Sequence, residues 1–201
     1  MRRLVAAALL ALSLLAVAPA RAQVIAEPAP PPFPDPKKFA RGFFATGELG
    51  ALVFLGRTSK YAAAGPQFGV RLGYDIFRWL AVQVHVSGAS SDANLPPPTL
   101  GQSFQTYLYL GELRASVQIR RFGLFLEGGA GFTQISNNVL DLVNITDHNN
   151  HFSFSVLGGA GLDYHTLNRH FSFGLDVDYI WMQGFSNTSA LTATAYLRYT
   201  H

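Results

Sequence analysis

The sequence predicts an all-β fold: an eight-stranded antiparallel up-and-down transmembrane β-barrel behind a short proline-rich leader. Three observations carry that prediction. Apolar side chains alternate with small or polar ones, at period two, in eight successive segments, as strands with two unlike faces require. The non-apolar faces carry Gly, Ser, Thr, carboxylates and arginine but none of the chain's three lysines, which suits a confined polar interior better than a solvated surface. Aromatic residues gather at both ends of the apolar stripes, the pattern of two interfacial girdles around an apolar band.

Composition agrees. The 201 residues suffice for one domain. Charged residues make up 13%, about half of the roughly 25% usual in soluble domains. The absence of cysteine excludes a disulfide scaffold, a thiol enzyme and a cysteine-based metal site. Residues 1–22 read as a secretory signal, with Arg2 and Arg3, an Ala/Leu/Val core and Ala20-Arg21-Ala22. Its removal leaves twelve basic and twelve acidic residues, and no basic surplus for nucleic acid. Residues 23–40 form a leader expected in the periplasm; six of the eleven prolines lie between Glu27 and Lys38, which makes it a stiff spacer or a proline-type ligand. The barrel is expected over 41–201. No stretch there reaches the roughly 18 uninterrupted apolar residues of a membrane helix.

Each expected strand follows from its own alternation. In Phe43–Leu55 the odd positions, from Phe43 through Leu49 to Leu55, face one way, and Thr46 and Glu48 the other. Phe68, Val70, Leu72, Tyr74 and Ile76 alternate with Gln67, Arg71 and Asp75, and Leu80, Val82, Val84 and Val86 with Gln83, His85 and Ser87. Tyr107, Tyr109, Leu113, Ala115, Val117 and Ile119 oppose Glu112, Arg114, Ser116 and Arg120. The second half repeats the scheme from Phe122 to Phe132, Phe152 to Tyr164, Phe171 to Trp181 and Leu191 to Tyr199. Short joins at Phe77-Arg78, Arg120-Arg121 and Thr166–Arg169 are expected in the periplasm with both termini, and the longer joins outside.

Glu48–Leu52, Gly73-Tyr74-Asp75, Arg78-Trp79-Leu80 and the repeated Gly-Gly-Ala-Gly at 128–131 and 158–161 resemble small OmpA-type outer-membrane barrels, over about Phe43 to His201. A peptidoglycan-binding domain is not expected to follow, and the final Tyr199-Thr200-His201 departs from the terminal aromatic of barrel-assembly signals. More weakly, a short barrel with a proline-rich leader is similar to the barrels of myxobacterial adventurous gliding-motility complexes. These resemblances imply an integral outer-membrane protein in contact with lipid, lipopolysaccharide, the barrel-assembly machinery and other envelope proteins, with no cofactor. Loops of modest length and an eight-stranded interior that side chains can fill leave, as the expected role, a non-enzymatic envelope anchor or subunit of a multiprotein envelope assembly. The alternatives are an OmpA- or OmpW-like barrel passing small solutes and a lipid A or phospholipid hydrolase.

Parity along the strands names the candidate residues. A lumen charge network is expected from Glu48, Arg71, Asp75, Glu112, Arg114, Glu127, Asp163, Asp176, Asp178 and Arg198, with Arg120 facing the same way. Buried charges need partners, and a two-residue turn at Arg120-Arg121 sets Arg114 opposite Glu127. Aromatic girdles are expected from Phe43, Tyr74, Phe122, Tyr164, Phe171 and Tyr199 at one edge, and Tyr107, Tyr109, Phe132, Phe152, Tyr179 and Trp181 at the other. Asp176 and Asp178 share a face, as a catalytic pair would, but pairing with arginine is the simpler expectation. His151, Ser153 and Ser155 suggest a hydrolase only if a third group orients the base. Asp141, Asp147, His148 and His151 read as a solvated turn rather than a metal site. The Gly-Gly-Ala-Gly runs lack the Lys-Ser/Thr of a phosphate loop.

Overall fold

The computed structural model describes residues 42–94, 102–136, 140, 152–166, 170–186 and 188–201. The proposed signal and leader, and Asp141, Asp147, His148 and His151, lie outside the described residues. Eight strands run β1 (Phe43–Leu55), β2 (Gly65–Asp75), β3 (Leu80–Asp92), β4 (Ser103–Ile119), β5 (Phe122–Ile135), β6 (Phe152–His165), β7 (Phe171–Met182) and β8 (Thr188–Thr200). Each pairs antiparallel with its neighbours, and β1 pairs with β8 to close the barrel. Closure leaves no strand edge unpaired, the condition for crossing a bilayer with sheet.

The wall is inverted relative to a soluble core. Along every strand the apolar set points outward, so that Phe43 and Leu49 are each 71% exposed and Leu126 is 67% exposed, while charged residues such as Glu48 and Arg71 are buried. A continuous apolar exterior of this extent is untenable in water and is what hydrocarbon requires of a barrel wall.

Several boundaries differ from those read in the sequence. β3 and β4 extend toward the long-loop end, and Gly88–Asp92 pairs with Ser103–Tyr107. Gly88–Asp92 is small and polar and carries little hydrophobic alternation, and ladder hydrogen bonding sustains the strands there. β2 begins at Gly65 and β8 at Thr188 for the same reason. In the β2–β3 connection, Phe77 and Leu80 exchange backbone hydrogen bonds of 2.9 and 3.3 Å, so the two turn residues are Arg78 and Trp79 rather than Phe77 and Arg78. Ile119 pairs with Phe122, leaving Arg120 and Arg121 as the β4–β5 turn. Arg120 has φ +58° and is exposed. It belongs to the turn and not to the lumen, because the chain reverses before the strand's parity reaches it. The short turns share their end of the barrel with Gly42, whose carbonyl accepts from Asp75 N (3.1 Å), and with His201, whose N–H donates to Phe43 O (2.9 Å).

Candidate functional site

The interior is the region where the sequence places its chemistry, and it is stacked in three tiers. At the long-loop end an apolar cluster sits among inward serines and threonines such as Thr106, Thr133 and Ser155. Leu52 and Phe54 of β1, Phe104, Leu108 and Leu110 of β4, Ile135 of β5, Leu157 of β6 and Ile180 and Met182 of β7 form one buried cluster, joined by Phe185 and Leu140. The Phe54 and Phe104 rings lie 5.8 Å apart. Alternation does not show this cluster, because in β1, β4 and β7 both faces are apolar at that level. The signal was present as broken alternation, in Leu52-Val53-Phe54-Leu55, Tyr107-Leu108-Tyr109-Leu110 and Tyr179-Ile180-Trp181-Met182.

Below it, Arg71 of β2 reaches across the barrel into a cage of carboxylates. Its Nη1 lies 2.5 Å from Asp176 Oδ2, its Nη2 3.0 Å from Asp178 Oδ2 and 3.3 Å from Glu127 Oε1, and its Nε 3.1 Å from Glu48 Oε2 and 3.8 Å from Glu112 Oε2. His85 of β3 bridges Glu48 and Glu112 through its two ring nitrogens, 2.7 Å from each. Gln83 Nε2 donates to Glu112 Oε2 (2.6 Å), and the Thr194 hydroxyl donates to Asp176. A planar fork with five donors suits this many acceptors where a point-charge ammonium would not. Inward-facing glycines make the space. A Cβ on Gly69 would overlap the Glu48 carboxylate, one on Gly129 would sit 2.6 Å from Glu112 Cγ, and one on Gly159 would overlap Asp178.

Nearest the short turns are two separate pairs. Arg114 Nη2 donates to Asp163 Oδ2 (2.5 Å) and to the Tyr196 hydroxyl (2.8 Å), which in turn donates to Asp163. The Arg114 guanidinium carbon stands 3.4 Å above the centre of the Phe125 ring. Arg198 Nη2 lies 2.7 Å from both Asp75 carboxylate oxygens and its guanidinium 3.7 Å from the Phe44 ring centre. Both arginines thus combine an ion pair with a cation–π contact at buried positions.

The ten charged positions named from parity are all buried, but pairing across the lumen does not follow the ladder. Arg114 and Glu127 are direct register partners, yet Arg114 turns to Asp163 while Glu127 turns to Arg71. Asp176 and Asp178 both close on Arg71. One oxygen each from Glu127, Asp176 and Asp178 lies within 4.8 Å of the others, a spacing a divalent ion could use, but the Arg71 guanidinium already stands among them as the cation. His85, Gln83, Tyr196 and Phe125 belong to these clusters and were not singled out from the sequence. Their inward parity was visible, but their partners were not.

The remaining candidates fall elsewhere. Ser153 and Ser155 are buried near the long-loop end. The Ser153 hydroxyl accepts from Gly184 N (2.7 Å), and Ser155 lies 2.6 Å from the Thr133 hydroxyl, so among the described residues neither serine touches a base. The aromatic residues read as girdles line the outer wall. Phe43–Tyr74, Phe122–Tyr164 and Phe171–Tyr199 pair at 5.0, 5.3 and 5.1 Å on the short-turn side. Phe132 and Phe152 stand exposed toward the other end with Tyr109 and Tyr179, and Tyr107 and Trp181 are half-buried. Phe77 and Trp79, stacked at 5.8 Å on the short-turn rim, extend the first set.

Comparison with known proteins matches residues 7–198 to a family described as the outer membrane protein beta-barrel domain. Among solved structures, Neisserial surface protein A is similar over 80% of this chain and 97% of its own, at TM-score 0.60 and 12% identity. The N-terminal β-barrel domain of Pseudomonas aeruginosa OprF is similar over 80% of this chain and 98% of its own, at TM-score 0.48 and 10% identity. Ail of Yersinia pestis, solved with the heparin analogue sucrose octasulfate, is similar over 80% and 99%, at TM-score 0.47 and 12% identity. No curated protein matches the chain in sequence.

Proposed function

The chain belongs to the outer membrane protein beta-barrel domain family, and from that premise we propose that it serves as a non-enzymatic integral anchor within a multiprotein envelope assembly. The observation that carries this reading is the filling of the lumen, an apolar tier above a charged one with ion pairs beneath. An interior closed at several levels leaves the outer wall, the loop end and the leader as working surfaces. In this reading the short turns and both chain termini face the periplasm. The leader then lies on the side where other envelope proteins can grip it, and a gliding-motility complex is one assembly of that kind. Insertion by the barrel-assembly machinery and a surround of lipid and lipopolysaccharide belong to the same picture.

The test is purification of the tagged full-length protein from native outer membranes in mild detergent, with mass spectrometry of the co-purifying proteins. Stoichiometric envelope partners that disappear when residues 27–38 are deleted are the expected result. A protein that elutes alone, or partners indifferent to the deletion, would overturn it.

A further inference from the structure

The outer wall is not uniform. On its short-turn half, β4, β5 and β6 enclose an apolar groove of about 970 Å³, lined by Ala115, Val117, Leu124, Leu126, Ala160 and Leu162 and closed at the rim by Trp79. The register explains the hollow. Ala115 faces Leu126, which faces Ala160, so two methyl side chains flank one leucine where larger residues stand in the next row, Val117–Leu124–Leu162. Trp79 reaches the site because its carbonyl accepts from Ser116 N at 2.8 Å.

The rim beside the groove is cationic. Arg120 and Arg121 form the β4–β5 turn immediately past Val117 and Leu124, and Arg78 adjoins Trp79; all three are exposed. No exposed acid accompanies them among the described residues. Glu48, Asp75, Glu112, Glu127, Asp163, Asp176 and Asp178 are buried in the lumen, and Asp92 ends β3 at the opposite end. An apolar trough opening at its end onto arginines matches one amphiphile, with its acyl chain along the wall and its anionic headgroup at the rim.

We propose that the groove between β4 and β6, capped by Trp79 and edged by Arg120 and Arg121, binds an anionic phospholipid of the leaflet on the short-turn side. The wall residues take the acyl chain, and the arginines take the headgroup phosphate by charge-assisted hydrogen bonds. The site is defined by shape at one end and charge at the other, which separates it from the general lipid surround.

Trp79 and Trp181 are the chain's two tryptophans, which makes the test direct. Full-length protein carrying Trp181→Phe is refolded into phosphatidylcholine vesicles, with Trp79 as the sole reporter. Quenching is then titrated with acyl-brominated phosphatidylglycerol or acyl-brominated phosphatidylcholine. Phosphatidylglycerol is expected to bind more tightly by about fivefold per participating arginine. Arg120→Asn with Arg121→Gln, asparagine being tolerant of the positive φ, should bring the two lipids to parity. Ala160→Phe, which fills the trough, should weaken quenching by both. Circular dichroism on each variant establishes that the barrel has formed. Equal binding of the two lipids by the parent protein, a preference that survives the arginine substitutions, or quenching indifferent to Ala160→Phe would each overturn the proposal. The measurement requires no protein partner, so its failure leaves the anchor reading standing and that reading's failure leaves this one.

Discussion

The two halves of the lumen solve the same packing problem with opposite chemistry. Toward the long loops, the space is filled mainly by leucine, isoleucine, methionine and phenylalanine, with small hydroxyl residues between them. Toward the short turns it is filled by arginine forks and carboxylates set over glycines. The apolar half needs only volume and shape, so many side-chain combinations could serve. The charged half needs particular partners at particular positions, joining residues 105 and 107 apart in the chain. A slip of one residue in any strand would turn its carboxylates outward into the apolar band. The charged half therefore specifies register. The apolar half lowers the local polarity and raises the strength of the ion pairs beneath it.

That contrast ranks the expected effects of substitution. The largest is at Arg71, where truncation to alanine leaves five buried carboxylates without their shared cation. Arg71→Ala is expected to cost about 3–5 kcal/mol in urea unfolding of the refolded barrel followed by tryptophan fluorescence. Arg71→Lys should recover only part of the loss, since an ammonium cannot serve the same fork of acceptors. A cost below about 1 kcal/mol for Arg71→Ala would place the organising role elsewhere.

The apolar tier comes close to it. Leu108→Ala is expected to cost about 2–5 kcal/mol and Phe104→Ala about as much as Arg71→Ala, through cavities at fully buried positions. The two halves should respond differently to isosteric exchange. Leu108→Met should cost less than about 1.5 kcal/mol, whereas swapping a charged residue for an apolar one of similar volume should cost more. At the third tier, Arg198→Met alone is expected to be worse than Arg198→Met combined with Asp75→Leu, because the double change leaves no unpaired charge. Equal loss in single and double variants would show that the pair itself carries little.

The smallest effects divide the glycines by face. Gly159→Ala puts a methyl into the Asp178 carboxylate and is expected to cost about 1–3 kcal/mol. Gly158→Ala points into open space on the outer wall and should stay within about 0.5 kcal/mol of the parent. Thermal unfolding of the two variants in the same detergent compares neighbouring residues that differ only in the face they occupy.

The same contrast explains what could be read in the sequence. Period-two alternation showed the eight strands, the faces of Glu48, Arg71 and Asp178, and the outward aromatic set, because a strand's parity is a local property. It could not show that Arg71 meets Asp176 on the far wall while Arg114 passes over its ladder neighbour Glu127. Those choices depend on side-chain reach across the lumen, which no single strand encodes. The apolar tier went unread because two apolar faces look alike in alternation, and its members separate only once the barrel closes. Strand parity does not hold at Arg120, because the chain turns one residue earlier, after Ile119. The Arg78-Trp79-Leu80 motif does not give Trp79 its place on the rim, which depends on the backbone bond to Ser116.

A lumen filled by an apolar tier, a carboxylate cage and paired arginines should not pass ions. The most direct test is single-channel recording of the full-length protein in planar bilayers, beside Phe54→Ala/Phe104→Ala and Arg71→Ala. Silence in the parent, with openings only after one tier is breached, is the expected result. A steady open conductance in the unaltered protein would contradict the filled lumen.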